Sequence, residues 1–359
     1  MSFSLSRSTK NCFKGILYNF MRILKLESKI DAYFNFLNLT SKNYYAYRRF
    51  HFSKSALESQ DIDGFQIRLT SHDSIDTTIV IQGPIVLNNS FTLNVIIKYL
   101  QDFSSAKIVL STWKNQVPNE FRVLESLFSA NARFLIIESE LPSNPGISNI
   151  NLQLESTQAG IQAVMSRPTQ YLLKTRTDQC FFNKDTLKIL QDLHEKNRKP
   201  SGKGRILAPS RGSFLIRPYG VTDMFTFGDF NSVLDYWSAP KDHRPVSRFL
   251  SSKGETLMEE ARNEVGEIYV CKHYLRNLGY SLSNTVTQSL QIYRDEFLFF
   301  DTETIDLIWH KYTANLHKWE HLRYEFRHKE VTHFIWKDLQ ENMSKYEFLE
   351  KYSTQRGAF

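Results

Sequence analysis

The amino-acid sequence predicts an α/β fold with a mostly parallel sheet flanked by helices. Short apolar runs alternate with helical stretches over residues 77–178, which is the pattern of parallel strands joined by crossover helices. Of the 359 residues, 41% are hydrophobic, so the chain can fill a sizeable core and a largely disordered protein is excluded. Helical spacing outside this region adds N- and C-terminal extensions to the predicted fold.

Four strands and three helices make up the alternating region. The predicted helices cover about 90–102, 119–130 and 149–165, and Ser148 or Asn149 can cap the third. Parallel strands place their carboxyl ends at one edge of the sheet, where such sheets bind ligands. The apolar runs that form the strands are, in chain order, TTIVIQGPIV, AKIVLSTW, ARFLIIESE and QYLLKTRTD.

The second half of the chain is less regular. Two apolar segments, RILAPS and SFLIR, predict further strands, and a helical pattern covers about 255–277. Beyond this helix, aromatic residues recur at helical spacing. We divide the chain into a basic, mostly helical extension at 1–72, an α/β domain at 73–300 and an aromatic-rich helical extension at 301–359.

The excess positive charge lies at the N-terminus. The chain has 45 basic and 38 acidic residues, and residues 1–50 contain nine of the former and two of the latter. Because the rest of the chain is balanced, we expect no nucleic-acid partner. Residues 10–30 predict a basic amphipathic helix, which either lies on an anionic membrane surface or packs on the body of the protein.

Cysteine usage and hydropathy suggest a location. The three cysteines are widely separated, which indicates neither a disulfide framework nor a zinc site and favours a reducing compartment. No apolar run of about 18 residues occurs, and basic residues interrupt the N-terminal apolar segment, so we expect neither a spanning helix nor a signal peptide. We predict a cytoplasmic protein, peripheral on the inner face of the cell membrane.

Several catalytic motifs are absent from the sequence. It contains no GxxxxGK followed by Ser or Thr, no GxGxxG after a strand, no HExxH and no GxSxG. The P-loop kinases, dinucleotide oxidoreductases, metalloproteases and serine hydrolases therefore lose their main support.

Polar residues follow the first two predicted strands. Gly83 and Pro84 end the first strand and allow a ligand to approach the backbone closely, and Gln82 can hydrogen-bond a nucleobase. Ser111 and Thr112 end the second strand, where hydroxyls can hold a ribose or a phosphate. Each motif also fits an ordinary transition from strand to turn.

The third predicted helix carries an uncharged polar stripe. Helical spacing places Asn149, Gln153, Ser156 and Gly160 on one face. Amide side chains donate and accept hydrogen bonds at once, so this stripe suits a ligand rich in hydroxyls. The alternative is a solvated helix face.

Three charged residues end the fourth predicted strand. Alternation sends Lys174, Arg176 and Asp178 to one side of the sheet. Arg and Lys suit a diphosphate, and Asp178 suits a divalent cation. A structural ion network at the strand end is the alternative reading.

These motifs together resemble a known family. The segments IVIQGPI, IVLSTW, N-x-N-x-Q-x-x-S-T-x-x-G-I and YLLKTRTD, in this order, are similar to the WavE family of lipopolysaccharide-synthesis proteins over roughly 77–280. That family in turn resembles glycosyltransferases of the GT-A type. The resemblance implies a GT-A-like fold and transfer of a sugar from a nucleotide-sugar donor to a glycan or lipid-linked acceptor in surface-polysaccharide synthesis.

The resemblance also implies a donor site. Gln82, Gly83 and Pro84 would meet the nucleotide, and Gln153 and Ser156 would meet the nucleotide or the donor sugar. Asp178 takes the place of the second acid of an Asp-x-Asp metal motif, and Arg176 replaces the first acid. The resemblance therefore implies a Mg²⁺ or Mn²⁺ ion at Asp178, but the arginine in place of the first acid argues against it. The full set of expected donor-site residues is Gln82, Gly83, Pro84, Ser111, Thr112, Asn149, Gln153, Ser156, Lys174, Arg176 and Asp178.

Three further residues are assigned by the resemblance. Tyr219 lies in an acceptor-side segment, and Asp223 and then Glu267 are the candidates for the base that removes a proton from the acceptor hydroxyl. Either acid also fits a helix cap or a surface charge. Two rival functions stay open: a nucleotidyl- or polyol-phosphate transferase, and a scaffold without activity that binds glycans or membranes.

Overall fold

A seven-stranded sheet lies at the centre of the described part of the chain, in the order β3-β2-β1-β4-β7-β6-β8. The computed structural model describes residues 76–128, 132–245, 256–310 and 330–353. The predictions for 1–72 and for the amphipathic helix at 10–30 lie outside these residues. The strands are β1 (Thr77–Gln82), β2 (Lys107–Trp113), β3 (Phe134–Ser139), β4 (Tyr171–Arg176), β6 (Ile206–Pro209), β7 (Thr226–Asp229) and β8 (Phe297–Phe300).

Most neighbouring strands of this sheet are parallel. The pairs β1/β2, β1/β4, β2/β3 and β6/β8 are parallel, whereas β7 runs antiparallel to both β4 and β6. Every residue of β1 is buried, as expected for a parallel strand covered on both faces. The mostly parallel α/β class and the four predicted strands of the first half are confirmed.

Helices flank the sheet and connect its strands. Helix α3 packs closely on β1 and β2 at Gly160, where a Cβ atom would lie 2.7 Å from Val80 Cγ1. The absence of a side chain therefore permits this approach. The helices are α1 (Phe91–Asp102), α2 (Asn119–Phe128), α3 (Ile150–Gln162), α4 (Thr186–Lys196), α5 (Phe230–Tyr236), α6 (Leu257–Asn263), α7 (Glu267–Asn277), α8 (Val286–Glu296), α9 (His333–Glu341) and α10 (Glu350–Ser353).

The second half of the described chain departs from the predicted elements. The segment SFLIR forms an isolated bridge from Phe214 to Glu330 instead of a strand. The predicted helix at 255–277 is divided into α6 and α7, because Glu264 and Gly266 adopt positive φ angles of 52° and 56° between them.

A second, two-stranded sheet joins distant parts of the chain. Strand β5 (Gln179–Phe181) pairs antiparallel with β9 (Leu307–Trp309), so this part of the predicted C-terminal helical region is extended. Trp309 lies opposite Gln179 in this pairing, immediately beyond the end of β4. The small sheet thus brings a tryptophan to the carboxyl end of the central strands.

Candidate active site

The carboxyl ends of β1 and β4 lie side by side. Gln82 pairs in register with Arg176, and Ser156 of α3 donates a hydrogen bond of 2.8 Å to Gln82 Oε1. The structure therefore brings one of the predicted helix residues to the end of the first strand. We call the following residues, which the next paragraphs connect, the strand-end cluster: Gln82, Gln153, Ser156, Lys174, Arg176, Asp178 and Asp223.

The turn after β1 requires its glycine. Gly83 has a φ angle of 119°, and a Cβ atom there would lie 3.1 Å from Thr177 Oγ1. The Gly83 amide donates to the carbonyl of Ser111, and the Thr177 hydroxyl donates to the carbonyl of Pro84. The ends of β1, β2 and β4 are consequently tied together at this turn.

Lys174 is completely buried and connects three elements. Its ammonium group donates to the backbone carbonyl of Asp223 and lies 3.5 Å from Gln153 Oε1 and 4.3 Å from the centre of the Trp237 ring. Burial lowers the pKa of Lys174 to about 7, although the charge of Asp223 acts in the opposite direction. The contacts fix the loop that carries Asp223.

Asp223 is held from helix α3 as well. Gln153 Nε2 donates to Asp223 Oδ2. Because Gln153 also faces Lys174, these residues form one connected polar group across α3, β4 and the loop before β7. Asp223 is partly exposed at this position, unlike Lys174, which is completely buried.

Arg176 and Asp178 form a bidentate ion pair. Arg176 Nε lies 2.9 Å from Asp178 Oδ1, and its Nη2 lies 3.0 Å from Oδ2. Trp309 Nε1 donates to the same Oδ2 at 2.9 Å. Burial would raise the pKa of Asp178, but the hydrogen bonds from Arg176 and Trp309 lower it overall, so this carboxyl group is ionised.

The donor set at Asp178 fits a divalent cation poorly. Both carboxylate oxygens accept hydrogen bonds from protein donors, and a guanidinium group already supplies the positive charge. Mg²⁺ and Mn²⁺ favour carboxylate oxygens that are open to the ion, and a cation here would compete with Arg176. The expected metal role of Asp178 therefore finds no support in its contacts.

A second acidic group has a geometry compatible with a cation. Ligand atoms of His194, Glu195 and Asp229 lie within 4.8 Å of one another. Asp229 pairs with Tyr171, the first residue of β4, so this group lies at the opposite end of that strand from Asp178. Arg198 binds both acids, at 2.7 Å from Glu195 Oε1 and 3.1 Å from Asp229 Oδ1.

Glu267 lies in a separate ion cluster next to Asp223. Arg217 Nε donates to Glu260 Oε2 at 2.7 Å, and Arg217 Nη1 donates to Glu267. Burial raises the pKa of Glu267, Arg217 opposes this shift, and the charge of Asp223 adds to it. The two predicted base candidates are thus electrostatic neighbours, but Glu267 is paired with a cation.

Tyr219 is buried and holds its loop against α8. Its hydroxyl donates to Gln288 Oε1 at 2.6 Å and accepts from the Asn284 amide at 3.1 Å. Its own amide donates to Ser289 Oγ. The acceptor-side residue expected from the sequence therefore anchors the segment that leads to Asp223.

Three other predicted donor-site residues stand apart from these contacts. The side chains of Ser111 and Thr112 are buried, and their hydroxyls have no hydrogen-bond partner. Ser111 lies under α3, where a Cβ atom on Gly160 would be 3.1 Å from Ser111 Cβ. Asn149 is exposed in a left-handed conformation just before α3.

Two tryptophans lie at the site that were not predicted from the sequence. Trp237 lies over the Lys174 ammonium group, and Trp309 contacts both Arg176 and Asp178. Trp309 falls in a segment whose aromatic spacing predicted a helix. The uninterrupted β-favouring run Leu307–Trp309 is the signal that could have indicated a strand.

The sheet topology defines an α/β protein whose mostly parallel central sheet carries the strand-end cluster at the carboxyl ends of β1 and β4. A family model described as WavE lipopolysaccharide synthesis matches residues 77–354. The chain belongs to this family. The match extends beyond the expected limit near 280 and includes β8, β9 and α9. A search of curated proteins found no match.

Several solved structures show a distant likeness to this chain. The glycosyltransferase GlyE of Streptococcus pneumoniae TIGR4 is 13% identical over 79% of this chain and 61% of its own, with a TM-score of 0.35. The mannosyltransferase PcManGT of Pyrobaculum calidifontis, solved with GDP-Man and Mn²⁺, is 10% identical over 84% and 92%, with a TM-score of 0.30. S. aureus TarS 1-349 is 14% identical over 46% and 52%, with a TM-score of 0.27. This chain spans less than two thirds of the length of GlyE.

Proposed function

We propose that this protein is a glycosyltransferase that moves a sugar from a nucleotide-sugar donor to a glycan or lipid-linked acceptor in lipopolysaccharide or surface-polysaccharide synthesis. Membership of the WavE family supports a role in lipopolysaccharide synthesis. The observation that carries the proposal is the strand-end cluster, in which Arg176 lies beside Gln82 at the carboxyl ends of adjacent parallel strands. Lys174 of the same strand and Gln153 of α3 hold the loop that carries the Asp223 carboxylate.

The donor occupies the side of the cluster formed by β1 and β4. Gln82, Gly83 and Pro84 meet the nucleotide, because they form the turn that ends β1 beside Arg176, where Pro84 is exposed. Arg176 faces the diphosphate, where negative charge develops as the bond to the sugar breaks. Gln153 of α3 and Lys174 of β4 complete this side of the cluster, and Ser156 acts through its hydrogen bond to Gln82. Ser111 and Thr112 are buried on β2 and Asn149 lies just before α3, so these three expected donor residues are assigned no contact with the donor.

The acceptor lies on the side of Asp223, with Tyr219 anchoring the segment. The acceptor hydroxyl oxygen forms a bond to the anomeric carbon, and its proton passes to the Asp223 carboxylate. The bond from the sugar to the diphosphate breaks, and its electron pair stays on the diphosphate oxygen. Asp223 suits this role better than Glu267, because Arg217 pairs with the latter.

The membrane setting is a separate part of the proposal. A basic amphipathic segment at 10–30 would hold the enzyme at the anionic inner face of the cell membrane, where lipid-linked acceptors are found. Within the described ranges, no helix combines the length and hydrophobicity that crossing a membrane requires.

A panel of nucleotide sugars tests the donor assignment. We expect one or a few members to raise the melting temperature of the full chain, because a ligand that binds the folded state stabilises it by mass action. A glycosyltransferase then releases a nucleoside diphosphate, whereas transfer of a phosphorylated group releases a nucleoside monophosphate. Binding followed by release of the monophosphate would favour the rival transferase, and absence of any binding would favour a scaffold.

A further inference from the structure

The ion pair of Arg176 and Asp178 suggests how the donor diphosphate is bound. We propose that Asp178 is a positioning residue that acts with Trp309 to orient the Arg176 guanidinium group, and that Arg176 binds the diphosphate of a nucleoside diphosphate without a divalent cation. This inference rests on the proposed function, because it concerns the leaving group of the same donor.

The geometry of Asp178 favours positioning over metal binding. Its two oxygens accept two parallel hydrogen bonds from Arg176, at 2.9 and 3.0 Å, and a third from Trp309. Its backbone carbonyl accepts a further hydrogen bond of 2.8 Å from the His310 amide. Both the carboxylate and the backbone of Asp178 are therefore fixed by neighbours that leave little access for an ion.

Trp309 restricts the guanidinium group from a second direction. The centre of its ring lies 5.5 Å from Arg176 Cζ, within the range of a cation–π contact. Because β9 pairs with β5, Trp309 is held by a sheet and is not on a free loop. One indole side chain thus binds Asp178 through its N–H group and Arg176 through its ring.

Relative exposure indicates which partner meets the ligand. The Arg176 side chain is 21% exposed, and the Asp178 side chain is 12% exposed. The Arg176 side chain is consequently the more exposed member of the pair. A planar guanidinium binds phosphate oxygens in a bidentate manner, so an oriented arginine can replace a cation as the partner of a diphosphate.

The surrounding charge supports the same assignment. Lys174 lies two residues earlier on the same strand, and its pKa is affected by the charges of both Arg176 and Asp178. A divalent cation at Asp178 would be added to a site that already holds one arginine and is close to this buried lysine. Repulsion between these charges in a partly buried position disfavours the ion.

Isothermal titration of the full chain with UDP, GDP, CDP, ADP and dTDP tests the proposal, once in EDTA and once with MnCl₂. We expect at least one nucleoside diphosphate to bind in EDTA with an affinity similar to that in Mn²⁺. Arg176→Gln should weaken this binding by about tenfold or more, as loss of a charge-assisted bidentate contact does. The matched control is Lys107→Gln, which removes one positive charge at the amino end of β2, opposite the strand-end cluster.

A double-mutant cycle separates positioning from metal binding and from a general structural role. Asp178→Asn should weaken binding in the wild-type background and have no further effect in Arg176→Gln, because it acts through that arginine. Trp309→Phe, which keeps a ring but removes the N–H donor, should show the same dependence. Melting temperatures of all variants identify any loss of binding that follows from unfolding.

The outcomes distinguish this inference from the function on which it rests. Binding that requires Mn²⁺ and is weakened by Asp178→Asn in both backgrounds would overturn the positioning role and leave the glycosyltransferase proposal standing. If the losses of affinity caused by Asp178→Asn and Arg176→Gln add in EDTA, the positioning role would also be overturned. If no nucleoside diphosphate binds in either buffer, the donor-site proposal itself fails, and this inference fails with it.

Discussion

Gln153 Nε2 donates a hydrogen bond to Asp223 Oδ2, and this contact joins helix α3 to the loop that precedes β7. The same loop is held by Lys174, whose ammonium group binds the Asp223 carbonyl. The carboxylate is therefore placed by side chains from two elements of the central fold, as a group that removes a proton at a defined position requires.

Asp223→Asn should abolish most of the activity with little effect on stability. We expect turnover to fall by about 100-fold or more, which is the usual contribution of a general base. Steady-state rates with the donor found by the screen measure this effect. Asp235→Asn, at an exposed position on α5, is the matched control and should retain full turnover. Equal rates for the two variants would remove Asp223 from the mechanism.

Lys174 should make the stability of the protein depend on pH. Its pKa falls from an ordinary value of 10.5 to about 7 on folding, so between these values the unfolded state binds the proton more tightly. The free energy of unfolding should therefore rise with pH above 7, with a contribution of up to about 1.4 kcal/mol per pH unit. Below pH 7 both states are protonated and this dependence disappears.

Urea denaturation of wild type and Lys174→Met between pH 7 and 8.5 isolates this contribution. The difference between the two stability curves should change with pH in the stated direction. Burial raises the pKa of Cys180, so at higher pH the unfolded state would lose this proton first and the free energy of unfolding would fall with pH. The chosen range stays below the pH at which this opposite effect begins. Lys188→Gln, an exposed substitution on α4, should reproduce the wild-type slope. Parallel curves for wild type and Lys174→Met would contradict the assignment.

The close packing of α3 on the sheet predicts a cost for any side chain at Gly160. Alanine there would place its Cβ 2.7 Å from Val80 Cγ1, so Gly160→Ala should destabilise the protein by about 1–3 kcal/mol despite the better helix propensity of alanine. Gly228→Ala is the control, since its Cβ would make ordinary contacts at 3.5 Å. A higher melting temperature for Gly160→Ala than for wild type would show that the contact between α3 and β1 accommodates a methyl group.

The N-terminal segment should determine membrane binding. Deletion of residues 1–30 should move the protein from anionic phosphatidylglycerol liposomes to the supernatant, because each basic group near the headgroups contributes about 1 kcal/mol. Replacement of Lys14, Arg22 and Lys25 by glutamine should weaken binding and remove its dependence on salt. Unchanged sedimentation with liposomes would indicate that this segment does not hold the protein at the membrane.

Much of the central sheet could be predicted because its signals are local. Each parallel strand is a short apolar run, and the turn at Gly83 and Pro84 marks where the first one ends. Alternation along β4 also placed Lys174, Arg176 and Asp178 near one edge. Their partners could not be predicted in this way, since Trp309 lies 131 residues after Asp178 and no periodicity connects them.

Two predicted elements differ from the structure, and local physical reasons explain both differences. The apolar segment SFLIR has the composition of a strand, but the described structure gives it one bridge partner, Glu330, and no strand forms. The helix predicted over 255–277 satisfies helical spacing throughout, yet Glu264 and Gly266 take left-handed conformations that end one helix and begin another. Periodicity reports which face is apolar and does not report such backbone changes.

The central claim is that the strand-end cluster transfers a sugar from a nucleotide-sugar donor. The most direct measurement incubates the full chain with the donor that stabilises it and with a lipopolysaccharide extract, and identifies both products by mass spectrometry. The account predicts release of a nucleoside diphosphate together with an acceptor heavier by one sugar residue, and loss of both in Asp223→Asn. Release of a nucleoside monophosphate, or transfer that persists in this variant, would contradict it.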